Sequence, residues 1–239
     1  MTFPIIYEDD NTIVINKSAG IMVHPDDRSE EKTVADWLLE LFPTITSIGD
    51  EGRRGIVHRL DRNTTGVLIM AKTHKAYRSF KTQFKNHTTR KVYRAIVEGN
   101  IKDDIGMISA SLARAKSDFR KRTVVDMFSL DARGEEKEAI TRYKVIARSK
   151  DDTGNPYTYV EVYPITGRTH QIRAHFRGIR HPIVGDDLYG SKLGKDKSTR
   201  SMLHAVSLTI ELPEKGEMTF TAPIPDDMKE TLVKLNFSC

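Results

Sequence analysis

The feature that most constrains how this chain can fold is a succession of short runs rich in β-branched and aromatic residues, at 12–17, 67–71, 92–98, 139–147, 157–165, 202–212 and 217–222. Runs of that length and make-up suit pleated, half-buried strands. Gly55-Ile56-Val57 reads as one more short strand, and the polar stretch after it, ending in Thr64-Thr65-Gly66, reads as a loop between strands. Helical spacing is clearest in two places. Thr33, with Asp36 three residues on and Val34, Trp37, Leu38 and Leu41 behind it, predicts a capped amphipathic helix that stops at Pro43. From Thr73, Ala76, Tyr77, Phe80 and Phe84 fall on one stripe and Lys75, Arg78, Lys81 and Lys85 lie elsewhere, so the aromatic stripe is read as core packing. Many strands, few helices and no regular βαβ alternation predict an α+β fold: a mixed, mainly antiparallel sheet with peripheral helices. Residues 100–137 and 190–201 read as irregular, exposed loops, and their Lys116, Arg120, Lys121, Arg122, Lys192, Lys195, Lys197 and Arg200 as solvated charge, with direct phosphate contact the alternative.

A chain of 239 residues can bury a substantial core as one domain, residues 1–239. Lys and Arg number 38 against 33 for Asp and Glu, a net +5 that favours an anionic partner. The single cysteine, Cys239, excludes an intramolecular disulfide and a cysteine zinc site, which suits a reducing cytosol. No apolar run approaches the roughly 20 residues that span a bilayer, and Met1-Thr2-Phe3-Pro4 does not open a signal peptide. Membrane and secretory readings therefore fall away, and a cytoplasmic protein is expected.

Two clusters carry candidate chemistry. The first is the glycine-bounded, charged loop from Gly55 to Gly66, which contains His58-Arg59-Leu60-Asp61-Arg62. Reactive side chains are commonly held on such loops between rigid elements. In an extended chain Arg59 and Asp61 project to one side while Leu60 can point inward. A carboxylate beside cations stays ionised at neutral pH and can act as nucleophile or base, but not as acid. A plain loop ion pair is the alternative. The second cluster runs from Thr166 to Pro182. Gly167 and Thr169 are candidate helix starts and Gly178 a stop, and on a helix Arg173, Arg177 and Arg180 share a face while Ile172 and Phe176 share another. That basic face could hold phosphates, hold a carboxylate, or simply be solvated. His170, His175 and His181 lack the spacing of a helical metal pair, so no metal site is expected.

Together, His58-Arg59-Leu60-Asp61-Arg62 with Thr65-Gly66, and Gly167-Arg168-Thr169-His170-Gln171-Ile172-Arg173-Ala174-His175, resemble the signature motifs of the RluA-type pseudouridine synthases. The resemblance extends along the chain through Asn16–Pro25, Lys91-Val92-Tyr93-Arg94-Ala95, Glu138–Thr141, His181–Asp186 and Leu203-His204-Ala205, in the family's order. It implies a single catalytic domain on a long mixed, mainly antiparallel sheet with a basic central cleft. It implies that Asp61 is the catalytic aspartate, that Tyr93 stacks on a flipped uracil, that Arg173 pairs with Asp61, that Arg59 enters the RNA where the base leaves, and that Ile172 lines the base pocket. His58, Arg62, Arg168, His170 and Arg177 complete the expected RNA-binding set. The implied reaction isomerises uridine in ribosomal or transfer RNA to pseudouridine, with no cofactor and no metal, by a chain expected to act as a monomer. Extruding a base costs a few kcal/mol, which an inserted Arg59 and an aromatic platform worth about 1–3 kcal/mol would offset. Ser18 stands where the family usually has proline, and the family's frequent N-terminal S4 domain is expected to be absent. Rival readings are an RNA-binding protein without turnover, which would need no Asp61, Tyr93 and Arg173 together, and a glycoside or nucleoside hydrolase, which would need a second acid that neither cluster supplies.

Overall fold

The computed structural model describes residues 1–25, 30–49, 54–118, 120–125 and 132–238; Cys239 lies outside the described residues. In chain order the elements are β1 Ile5–Glu8, β2 Thr12–Lys17, α1 Val34–Leu41, β3 Thr65–Ala71, α2 His74–Lys85, β4 Arg90–Glu98, β5 Ile105–Ser109, β6 Ser111–Ala115, β7 Arg122–Val125, β8 Ala132–Lys137, β9 Ile140–Lys150, β10 Pro156–Pro164, α3 Gln171–Gly178, α4 Lys192–Lys195, β11 Leu203–Leu212, β12 Gly216–Thr221 and α5 Asp226–Lys234. They form two compact units, one from Met1–Lys91 and Ala205–Pro223, the other from Val92–His204 and the residues from Ile224 onward. Every strand pairing described below is antiparallel, as the strand-rich, helix-poor sequence predicts.

In the first unit β2 pairs with β1 on one side and with β3 on the other, in a register that runs from Thr12 opposite Ala71 to Lys17 opposite Gly66. β3 is buried along its whole length, which is why its run is continuously apolar instead of alternating. Helix α1 opens with the expected capping box, Asp36 N–H donating to Thr33 Oγ1 at 3.3 Å and Thr33 N–H to the Asp36 carboxylate at 3.0 Å. In α2, capped by Thr73, Ala76, Tyr77 and Phe80 are buried, so the aromatic stripe packs the core. Gly66 has φ +112°, and a Cβ there would lie 2.1 Å from the Ala205 carbonyl oxygen; only glycine fits where the candidate loop enters β3.

In the second unit the strands lie in the order β4-β10-β9-β5, with Val162 opposite both Tyr93 and Tyr143. Phe176 of α3 and Met228 and Leu232 of α5 pack into the same core as Tyr157, Val160 and Val162. A second sheet has the order β7-β6-β8.

Three expectations change. Gly55-Ile56-Val57 is not a strand: only Ile56 bridges to Met70, and Thr65 and Gly66 belong to β3 instead of the loop. Residues 100–137, read as irregular, hold β5 to β8 in their described part, and 190–201 hold the short α4. Helix α3 starts at Gln171 after His170, whose φ of 56° makes the turn, and Arg180, with φ 66°, lies beyond it, so Arg173, Arg177 and Arg180 do not form one helical face.

Candidate active site

The loop before β3 is anchored from inside. Leu60 is buried, Asp61 half-buried and Arg59 exposed, as extended-chain alternation predicts. Beneath them lies a lysine that sequence reasoning passed over. Lys17, at the end of β2, has a side chain with no exposure, and its ammonium donates to the carbonyl oxygens of Ser18 at 2.9 Å, Arg62 at 3.0 Å and Thr64 at 3.0 Å. An ammonium has three donors, and here each meets a loop carbonyl. With Thr64 N–H donating to the Asp61 carbonyl at 3.0 Å, the backbone from the aspartate to Thr64 is fixed. Lys17→Met, which strands those carbonyls, is expected to cost about 2–4 kcal/mol in urea denaturation and to slow turnover at least tenfold; wild-type values for both would show that Lys17 does not order the loop.

His58 and Arg62 are tied to the fold. The His58 Nε2 accepts from Ile69 N–H at 3.1 Å, and its ring stacks on Phe84 with centroids 4.4 Å apart. Burial, with the charge of Lys91 adding to it, pushes the imidazole down to about 3, while burial lowers Lys91 itself to about 8. His58 is therefore neutral in the folded chain, with its proton on Nδ1. Its folded value lies below its unfolded value near 6.5, so the unfolded chain takes up the proton first and stability falls as pH drops below about 6.5. Between pH 6.5 and 5 wild type is expected to lose up to about 1.4 kcal/mol per pH unit from this group; His58→Gln should flatten the slope in urea titrations, and an unchanged slope would rule the group out. Arg62 donates to the Gly20 carbonyl at 3.0 Å and pairs with Glu31 at 2.7 Å.

The second unit carries the other expected residues. Tyr93, half-buried on β4, packs against the core to which Ile172 belongs. Arg173 is buried, and its guanidinium forks onto Asp186, Nε to Oδ2 at 2.6 Å and one Nη to Oδ1 at 2.8 Å, with Asp187 at 3.1 Å. Burial pushes the Asp186 carboxyl up, but the Arg173 hydrogen bond and charge, with the N–H groups of Tyr189 and Leu188, outweigh it and hold the group below the usual carboxylate range. His170 Nδ1 lies 3.1 Å from the Tyr189 hydroxyl, and the Arg173 guanidinium lies 5.2 Å from the centroid of the same ring. Arg168 and Arg177 are exposed. The structure thus places Tyr93 against the core cluster that includes Ile172, brings Arg173 together with Asp186, and orders the Asp61 turn through Lys17. Asp186 is a residue that sequence reasoning missed; a buried arginine needs a buried acid, and that requirement is the signal that could have found it.

Comparison with known proteins gives this arrangement its context. Residues 11–177, which include Asp61, Tyr93 and Arg173, match the family described as RNA pseudouridylate synthase. The chain belongs to that family. Family members are isomerases that act on uridine in RNA. The chain is 37% identical, over 97% of its length and 61% of the relative's, to the ribosomal large subunit pseudouridine synthase D of Neisseria meningitidis. It is 40% identical, over 94% of its length and 70% of the relative's, to an RNA pseudouridine synthase of Aquifex aeolicus. The chain thus spans about three fifths of the first relative and somewhat more of the second. Among solved structures, human RNA pseudouridylate synthase domain containing 1 superposes with a TM-score of 0.75 at 28% identity, over 93% of this chain and 83% of that one. Among the described residues no helix is long and apolar enough to cross a membrane.

Proposed function

We propose that residues 1–239 form a catalytic domain that isomerises a specific uridine of structured ribosomal or transfer RNA to pseudouridine in the cytoplasm. Asp61 is the catalytic carboxylate, Tyr93 the platform for the extruded base, and Arg173 the cationic partner of Asp61. The observation that carries this reading is the single family match that contains all three residues in order. The N-glycosidic bond breaks, the uracil turns in its pocket, and a C–C bond forms to the same ribose, so no atom is gained or lost and no co-reactant is called for. The Neisseria relative is named for the large ribosomal subunit, which supports ribosomal RNA as the first substrate to examine. Arg173 suits its role because Asp186 fixes the guanidinium plane before any substrate arrives. Arg59 suits insertion because it is exposed beside a buried anchor, Leu60. Pseudouridine mapping of total RNA from cells with and without the gene tests the proposal: one or a few sites should disappear on deletion, and an identical map would overturn it.

A further inference from the structure

We propose that the small sheet β7-β6-β8 is a second RNA contact that grips successive backbone phosphates through a row of arginines. The inference rests on the RNA reading above and adds a site to it. Arg114 at the middle strand stands directly opposite Arg122 on β7 and directly opposite Arg133 on β8. Directly opposed residues of antiparallel strands point to the same face with Cβ atoms roughly 5 Å apart, and like charges so placed repel. Guanidinium groups cannot escape by losing a proton. Nor do acids of the chain relieve the two outer-facing members: among the described residues neither Arg114 nor Arg133, both exposed, meets a carboxylate. The three arginines line one concave space of about 670 Å³ with Lys137 and Arg168, and the one acid among the described lining residues, Glu135, lies 3.2 Å from Lys137. Five cations against one anion among the described lining residues is an arrangement that folding alone does not favour, and an anionic ligand removes the cost.

The dimensions favour a nucleic-acid backbone over a small anion. The row crosses two interstrand spacings, roughly 10 Å in all, wider than one phosphate group and suited to consecutive phosphates of a strand. Guanidinium forks match phosphate oxygens in pairs. The site is also wired to the motif that precedes α3. Arg168 is the second residue of that motif, its Nε donating to the Glu138 carbonyl at 3.1 Å, and the Tyr189 hydroxyl accepts from Arg122 N–H at 2.7 Å while lying 3.1 Å from His170 Nδ1. Phosphates held here fix the register of the RNA without reading its bases.

The test uses the full chain, a fluorescein-labelled 20-nucleotide RNA hairpin followed by anisotropy at several salt concentrations, and inorganic pyrophosphate as the small-anion arm. Arg114→Gln/Arg133→Gln should weaken hairpin binding about tenfold or more and make the logarithmic salt slope shallower by about 2. It should melt at the same or a higher temperature than wild type, because repulsion is relieved, and raise KM for RNA with little change in kcat. The lysine pair Arg114→Lys/Arg133→Lys should restore most of the salt slope. Unchanged affinity and slope in the glutamine variant would overturn the proposal, as would stoichiometric pyrophosphate binding with no effect on the hairpin. A wild-type chain that modifies no RNA while the glutamine variant still loses hairpin affinity would sink the enzymatic reading and leave this site standing; an active wild type matched by the glutamine variant would do the reverse.

Discussion

Asp61→Asn is expected to lower pseudouridine formation by at least about 10⁴-fold while changing RNA affinity by less than about threefold. Asparagine has nearly the same shape but carries no negative charge, so it can neither attack as a carboxylate nor take a proton. The turn that bears it is held by Lys17 and by the main-chain bond from Thr64, and neither uses the carboxylate. The fold should therefore survive, and the loss should appear in kcat. Phosphate contacts rest on other residues, so binding should be preserved. Single-turnover assays with saturating purified protein separate the two effects, and turnover within about tenfold of wild type would remove Asp61 from the chemistry.

Arg173→Ala is expected to do two things at once. It leaves Asp186 buried without its cation, which should cost about 3–5 kcal/mol of stability at neutral pH, and it removes the cation assigned to Asp61, which should cost at least about 100-fold in activity. The stability part has a pH signature. In wild type the Asp186 carboxyl is held below its unfolded value, so the pair contributes fully above about pH 4 and its contribution is lost as pH falls through the folded value. In the alanine variant only the N–H groups of Tyr189 and Leu188 still oppose burial, so the group rises above its wild-type position and acid should narrow the gap between the two proteins. Urea denaturation at pH 7 and at pH 3.5 checks this, and a constant gap would show that Arg173 does not stabilise the fold through Asp186. Arg173→Lys separates the roles further, since it keeps the charge and loses the fork. Stability recovered without activity would place the requirement in guanidinium geometry.

The strands with β-branched and aromatic runs were legible because their side chains report their own burial: β2, β4 and β9 to β12 fall where the composition places them. The caps of α1 and α2 were legible for a similar reason, since a threonine and the residue three positions on meet locally. What escaped depends on distant partners. β6, β7 and β8 are short and rich in charge, and they are strands because they pair with one another, which leaves Arg114, Arg122 and Arg133 looking like loop cations until the register aligns them. Lys17 reads as an ordinary strand-end lysine, yet it closes on carbonyls 45 and 47 residues away. Gly178 ends α3 as its residue type suggests, whereas the start at Gln171 and the place of Arg180 beyond the helix were not legible, because His170 and Arg180 adopt positive φ, which residue type does not announce. In the site itself, the polar loop with buried Leu60 and exposed Arg59 was readable from alternation, whereas the Arg173 fork on Asp186 needed the fold.

The most direct measurement incubates the purified chain with RNA from cells lacking the gene, in buffer containing chelator and no added cofactor, and maps pseudouridine at each position over time. Appearance of the modification at the positions lost on deletion, with many turnovers per protein molecule and none by Asp61→Asn, is the predicted result. RNA that stays unmodified at those positions, or that Asp61→Asn modifies as fast as wild type does, would contradict it.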